Sequence, residues 1–275
     1  MADLPLAPGV PSTVRPLPNA AALVVSAARR STTVVIADVH LGLAASPDAP
    51  LGPPGASAPE LAEAALSLCE RARSRRLVIA GDVKHPIVGV PPWLRPVLFD
   101  FFATLLEAGV LPEVVLGNHD VGLVRHLPRE VVVHPASGWV ANGVGVFHGH
   151  RWPSPEVLEQ KILVAGHLHP GYRFAPTAES PISKRRCWVR VKFDGAAAAS
   201  RPDGRPVGAR ELIVVPAFHP LAGIESLNRE RPERGRSFLY HRFLGLGRAR
   251  AYLLDGTDLG PLATLPPTAR GGRGG

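Results

Sequence analysis

Apolar residues fall into two rhythms along the chain. Short β-branched runs predict strands over 33–38, 77–81, 113–117, 131–134, 138–141, 144–148, 162–166, 187–193, 211–215 and 237–243. Two longer stretches, with apolar side chains returning every three or four positions, predict helices. One, over 59–75, sets Leu61, Ala65, Leu68 and Ala72 on one face. The other, over 94–108, carries Val97, Leu98, Phe101, Phe102, Leu105 and Leu106 and stops at Gly109. Strands alternating with helices belong to an α/β domain. The stretches 43–58 and 195–210 are dominated by Ala, Gly, Pro and Ser and read as loops, the second as an insertion in a hairpin.

Composition narrows the picture. The chain has 275 residues, 45% of them apolar, enough for a sizeable core. Residues 1–20 are Pro-rich and residues 259–275 form a Gly/Arg tail, so both ends are expected to fray around a domain over 21–258. The most apolar long stretch, 97–117, is broken by Asp100, Glu107, Pro112 and Glu113, which excludes a membrane span. No secretory leader pattern opens the chain, and a cytoplasmic location is expected. Cys69 and Cys187 lack metal-ligand spacing and read as small core residues. The net charge of +8 favours phosphates or nucleic acid as partners, although the excess of Arg over Lys and the abundance of Ala, Gly and Pro trace part of it equally well to coding composition.

The chemistry is written at strand ends. Five apolar runs each stop at a ligand-type residue: Val34-Val35-Ile36-Ala37 at Asp38, Leu77-Val78-Ile79-Ala80-Gly81 at Asp82, Val114-Val115-Leu116-Gly117 at Asn118, Val144-Gly145-Val146-Phe147 at His148, and Ile162-Leu163-Val164-Ala165-Gly166 at His167. Strand ends converging at one edge of an α/β sheet present their following residues to a common crevice. Imidazoles, carboxylates and an amide oxygen together suit Mn, Fe or Zn, with Co and Ni as further candidates. Seven such side chains, His40 and His169 included, exceed what one ion needs, so two divalent ions are expected, with Asp82 as their natural bridge.

These residues resemble the calcineurin-like metallophosphoesterases, whose motifs stand here as Asp38-Val39-His40, Gly81-Asp82, Gly117-Asn118-His119-Asp120, His148-Gly149-His150 and Gly166-His167-Leu168-His169. The resemblance covers 34–170. Gly-Asp-Val-Lys-His at 81–85 and Val-Pro-Ala-Phe-His-Pro at 215–220 are most similar to archaeal and bacterial phosphoesterases, some of which accompany a DNA ligase and a helicase in repair. The fold it implies is a four-layer α/β/β/α sandwich of two mixed sheets flanked by helices. It also implies that Asp38, His40 and His169 bind one metal, Asn118, His148 and His167 the other, and that Asp82 bridges, with manganese favoured. His119 becomes the general acid opposite a hydroxide shared by the metals, and Asp120 orients His119.

Lys84, His85, His150 and Arg151 stand beside ligands and are candidates to touch a substrate phosphate. His219 reads as a turn histidine before Pro220. Arg229, Arg231, Arg234 and Arg236 form a basic run, either a solvated loop or a track for a nucleic-acid backbone. Trp93, Trp139, Trp152 and Trp188 read as packing residues, with Trp152 also placed to stack on a base. The function expected is phosphodiester hydrolysis in a nucleotide or nucleic acid. Phosphomonoester hydrolysis and a non-catalytic scaffold with the same fold are the alternatives.

Overall fold

The structure, a computed structural model, describes residues 14–26, 32–43, 57–141, 143–175, 183–193, 211–228, 239, 242–243 and 248–267. The loops expected at 43–58 and 195–210, the basic run from Arg229 to Arg236 and the end of the Gly/Arg tail lie wholly or mostly outside those residues.

Two β-sheets pack face to face. The first runs in the order β1 (Val14–Pro16), β2 (Leu23–Ser26), β3 (Thr32–Ile36), β4 (Arg76–Ala80), β5 (Leu111–Val115), β6 (Val132–His134), with β3 to β6 parallel. The centre of the second is the parallel trio β8 (Val144–Phe147), β9 (Ile162–Ala165) and β12 (Glu211–Val214), with β7 (Trp139–Ala141) antiparallel to β8. The ten-residue strand β11 (Ser183–Lys192) pairs with β10 (Pro170–Phe174), β12 and β14 (Arg248–Leu253). β13 (Glu225–Ser226) and β15 (Asp258–Pro261) add to β10 and β14.

Strand periodicity explains the layering. Val35, Ala37, Val78 and Ala80 of the first sheet meet Val144, Val146, Ile162, Val164 and Ile213 of the second in the inner core, while Val34, Ile36, Leu77 and Ile79 face outward. Helices α1 (Ala58–Ala72) and α2 (Leu94–Glu107) cover that outward face with Leu61, Ala65, Leu98, Phe101 and Phe102. The outer face of the second sheet, including Leu163, Val189 and Leu212, is covered by the single turn α3 (Pro155–Leu158) and by Leu239 and Phe243. The α/β/β/α sandwich is therefore the fold, with a thin second helical layer.

Three expectations are corrected. Val14–Pro16 pairs with Leu23–Ser26, so the domain begins inside the stretch read as a frayed terminus. β15 and buried Leu265 extend it past residue 258. The strand expected over 237–243 is not one at its described residues: Leu239, Arg242 and Phe243 are helical, and the four-residue spacing puts Leu239 and Phe243 together on the core.

Candidate metal centre

Parallel register brings the five strand ends level. Ile36 pairs with Ile79, Ile79 with Val114, and Phe147 with Ala165, so the loops after β3, β4, β5, β8 and β9 open at the same rim of the sandwich. Backbone bonds lock them together: Asp38 N–H donates to the Gly81 carbonyl (3.0 Å), His40 N–H to the Asp82 carbonyl (2.9 Å) and Gly166 N–H to the His148 carbonyl (2.9 Å). His167 N–H reaches across to the Asp38 carboxylate at 3.0 Å, joining the two sheets at the site itself.

The turns that follow are unusual. Asp38, His40, Asp82, His167 and His169 all have φ between 44° and 68°, the left-handed region that β-carbon-bearing residues rarely occupy. Such outliers concentrate at functional sites, where surrounding structure holds them in place. Close approach also explains the preceding glycines: a β-carbon at Gly117 would lie 2.2 Å from Asp82 Oδ1, and one at Gly81 would lie 2.3 Å from His148 Nδ1.

The side chains form two donor groups. The ligand atoms of Asp38, His40 and His169 lie within 4.8 Å of one another, as do those of Asp82, His148 and His167. In the first, His40 Nε2 and His169 Nε2 are 3.2 Å apart, and His169 Nε2 is 3.2 Å from Asp38 Oδ1. In the second, His148 Nε2 is 3.2 Å from Asp82 Oδ1 and 3.1 Å from the Asn118 side-chain oxygen. Asp82 faces both, because its Oδ2 lies 3.9 Å from His40 Nε2. Asp38 and Asp82 are buried, as is His148.

Carbonyls fix the ring orientations. His148 Nδ1 donates to the Ala80 carbonyl (2.9 Å) and His169 Nδ1 to the Gly223 carbonyl (2.9 Å), leaving each Nε2 directed at the other donors. Lone pairs converging at such distances repel unless a cation or a proton lies between them, so the donor set fits divalent metals. Without a metal, protons serve that purpose. Burial works against charge on His148, but the Asp82 and Asp38 carboxylates overcome it and push the ring up to about 9. Burial likewise raises the Asp82 carboxyl, yet His148 and His119 hold it below the usual carboxylate range. Burial lowers His40 to about 3 and His167 to about 4, which keeps those rings neutral as ligands require.

His119 sits at the mouth, its Nε2 3.7 Å from Asp82 Oδ2 and its ring 4.9 Å from that of His40. Its Nδ1 meets the His85 carbonyl rather than Asp120. The expected Asp120–His119 pairing is thus corrected: Asp120 accepts from Gly117 N–H (2.8 Å), Val83 N–H (2.9 Å) and Lys84 N–H (3.4 Å), and so braces two ligand loops. Lys84 is corrected too. It has no solvent exposure, and its ammonium donates to the carbonyls of His119, Pro86 and Ile87 (the last at 3.3 Å), so it cannot meet a substrate phosphate.

His85 lies against His119 (5.9 Å between ring centres) and His40 (5.5 Å), and their ligand atoms form a third compact group. His150 stands 5.3 Å from His148 on the other side, lowered to about 4 by burial and by His148, and Arg151 is exposed beside it. Trp152 packs against Phe243 instead of facing the mouth. Buried His219 closes the wall behind Asp38, where its N–H donates to the Asp38 carbonyl (3.2 Å). Composition and spacing gave no sign of the Gly223 and His85 carbonyls, because any residue supplies a carbonyl.

The chain matches no protein-family model and no curated protein sequence. Among solved structures it is similar to the Pseudomonas putida nuclease MPE, with a TM-score of 0.51 and 17% identity over 90% of this chain and 100% of that one. At that identity the likeness establishes a common fold.

Proposed function

We propose that the chain is a metal-dependent phosphodiesterase acting on nucleotides or nucleic acids. The observation that carries the reading is the pair of buried donor groups with Asp82 facing both. Asp38, His40 and His169 would hold one divalent ion, Asn118, His148 and His167 the other, and Asp82 would lie between them. Bound there, manganese or a related divalent metal supplies an activated water and neutralises phosphate charge. His119 is the chain's own acid: with Nδ1 on the His85 carbonyl, the proton at Nε2 is the one available to the leaving oxygen. The positive charge of the chain and the likeness to a nuclease favour a diester in a nucleic acid over a monoester.

The test compares hydrolysis of bis(p-nitrophenyl) phosphate and p-nitrophenyl phosphate by protein loaded with Mn²⁺, with labelled DNA and RNA assayed beside them. Preferential diester turnover is expected. Stoichiometric metal without turnover of any substrate would leave a non-catalytic scaffold.

A further inference from the structure

We propose that a basic cavity beside the candidate metal centre binds the nucleic-acid strand flanking the reacting phosphodiester, an inference that rests on the function proposed above. Its core is the run of three consecutive cations that opens β11, Lys184, Arg185 and Arg186. They line a cavity of about 400 Å³ together with Asn19, Ile224 and Asp255.

The cavity and the metal centre share walls. Ile224 follows Gly223, whose carbonyl orients His169, and Glu225 N–H donates to the His169 carbonyl (3.0 Å). Arg186 donates to the carbonyls of Ala217 (2.8 Å) and Phe218 (3.0 Å), while Phe218 N–H is bonded to the Ala37 carbonyl (2.8 Å), one residue from Asp38. Adjacent residues lie only about 3.8 Å apart, so the cavity wall at Ile224 begins one residue from the carbonyl that holds His169.

The three cations outnumber the acids there. Among the described residues no carboxylate forms a close ion pair with Lys184, Arg185 or Arg186, and Asp255 is the lone acid of the lining; its carboxylate accepts from Thr257 N–H (2.9 Å) and is held below the usual carboxylate range first by that bond and also by Arg185. Arg186 is half-buried, its partners among the described residues being two carbonyl dipoles, and Arg185 is held 5.7 Å over the Phe174 ring. Guanidinium forks so fixed match phosphate oxygens, while Pro220, Ile224, Leu253 and Leu254 give the rest of the lining an apolar surface. A single phosphate needs only the metals; cations displaced from them by one loop serve the next phosphates of a chain.

The test uses the full chain carrying His119→Ala, which should leave a fluorescein-labelled single-stranded 12-mer DNA uncut, and measures affinity by polarisation at several salt concentrations. Lys184→Glu with Arg185→Glu, both at exposed positions, should weaken binding at least tenfold and make the salt slope shallower by about 1.4, roughly 0.7 for each lost contact. In the parent chain the same pair should leave bis(p-nitrophenyl) phosphate turnover within twofold. The control, Lys161→Glu with Lys192→Glu, changes net charge equally just before β9 and at the far end of β11, and should show less than half that loss of affinity. Unchanged DNA affinity, or equal loss in the control, overturns the inference. So does parallel loss of small-diester turnover, if Lys184→Ala with Arg185→Ala repeats it. Absence of small-diester turnover in the unsubstituted protein counts against the phosphodiesterase reading instead, while the binding arm still reports on the cavity.

Discussion

Left-handed backbone at Asp38, His40, Asp82, His167 and His169 stores strain of about 1–3 kcal/mol at each position. The bonds around each turn must hold it, and Lys84 and Asp120 supply several of them. Lys84→Met would leave the Pro86, Ile87 and His119 carbonyls without their buried donor. We expect a loss of about 1–3 kcal/mol, read by urea denaturation. Gly117→Ala should instead strike the centre directly, pushing a methyl into Asp82 and reducing bound metal, measured by elemental analysis, in a chain that still folds. Ligand and acid separate by the same logic: Asp82→Ala should abolish metal binding, whereas His119→Ala should retain metal and lose roughly 10²–10⁴-fold in kcat. Comparable activity of His119→Ala and the parent chain would remove His119 from the chemistry.

Strands and helices differ in how plainly the sequence announces them. The five ligand-bearing strands are legible because each buried run ends abruptly at a polar residue, and α1 and α2 because their apolar faces repeat at helical spacing. Other strands are not. β1 carries Arg15 and Pro16, β10 opens with Pro170-Gly171, and β13 has two residues, all signals that argue against a strand. β14 does alternate, but its inward Ala249 and Ala251 give little contrast against Arg248 and Arg250. The Asp and His residues that the structure gathers into two groups, with Asn118 beside His148, were readable as a set, whereas what holds Lys84 and Asp120 depends on loops that meet only after folding. One strand also carries a pH test. Burial raises the Glu113 carboxyl on β5, but His134 (2.8 Å) and Arg76 outweigh it and hold it below its ordinary value. A depressed carboxylate adds stability above its unfolded pKa of about 4.3, and this is lost as pH falls through the folded value. Glu113→Gln should therefore lower the melting temperature at pH 7 and narrow its difference from the parent chain toward pH 3.

At the scale of the molecule, the site spans two sheets and couples their union to metal and protons. Asp38 and Asp82 follow strands of the first sheet, His148 and His167 strands of the second. In the metal-free chain His148 is raised to about 9 and His169 is also raised, in each case by carboxylates that outweigh burial. Raised values stabilise fully below the unfolded pKa of about 6.5 and lose their contribution as pH climbs through the folded ones. The melting temperature of chelator-treated protein should thus fall between pH 6.5 and 9, while Mn²⁺-loaded protein, its imidazoles already deprotonated, should not follow it. The Gly223 carbonyl behind His169 bears on biosynthesis. A ribosome that has released residue 169 has released all seven donors, yet β12 and the 217–225 turn are still unmade, β9 has an open edge, and nothing aims His169. Nascent chains halted before residue 211 should therefore carry every ligand and bind manganese poorly, so that metal loading marks the late steps of synthesis.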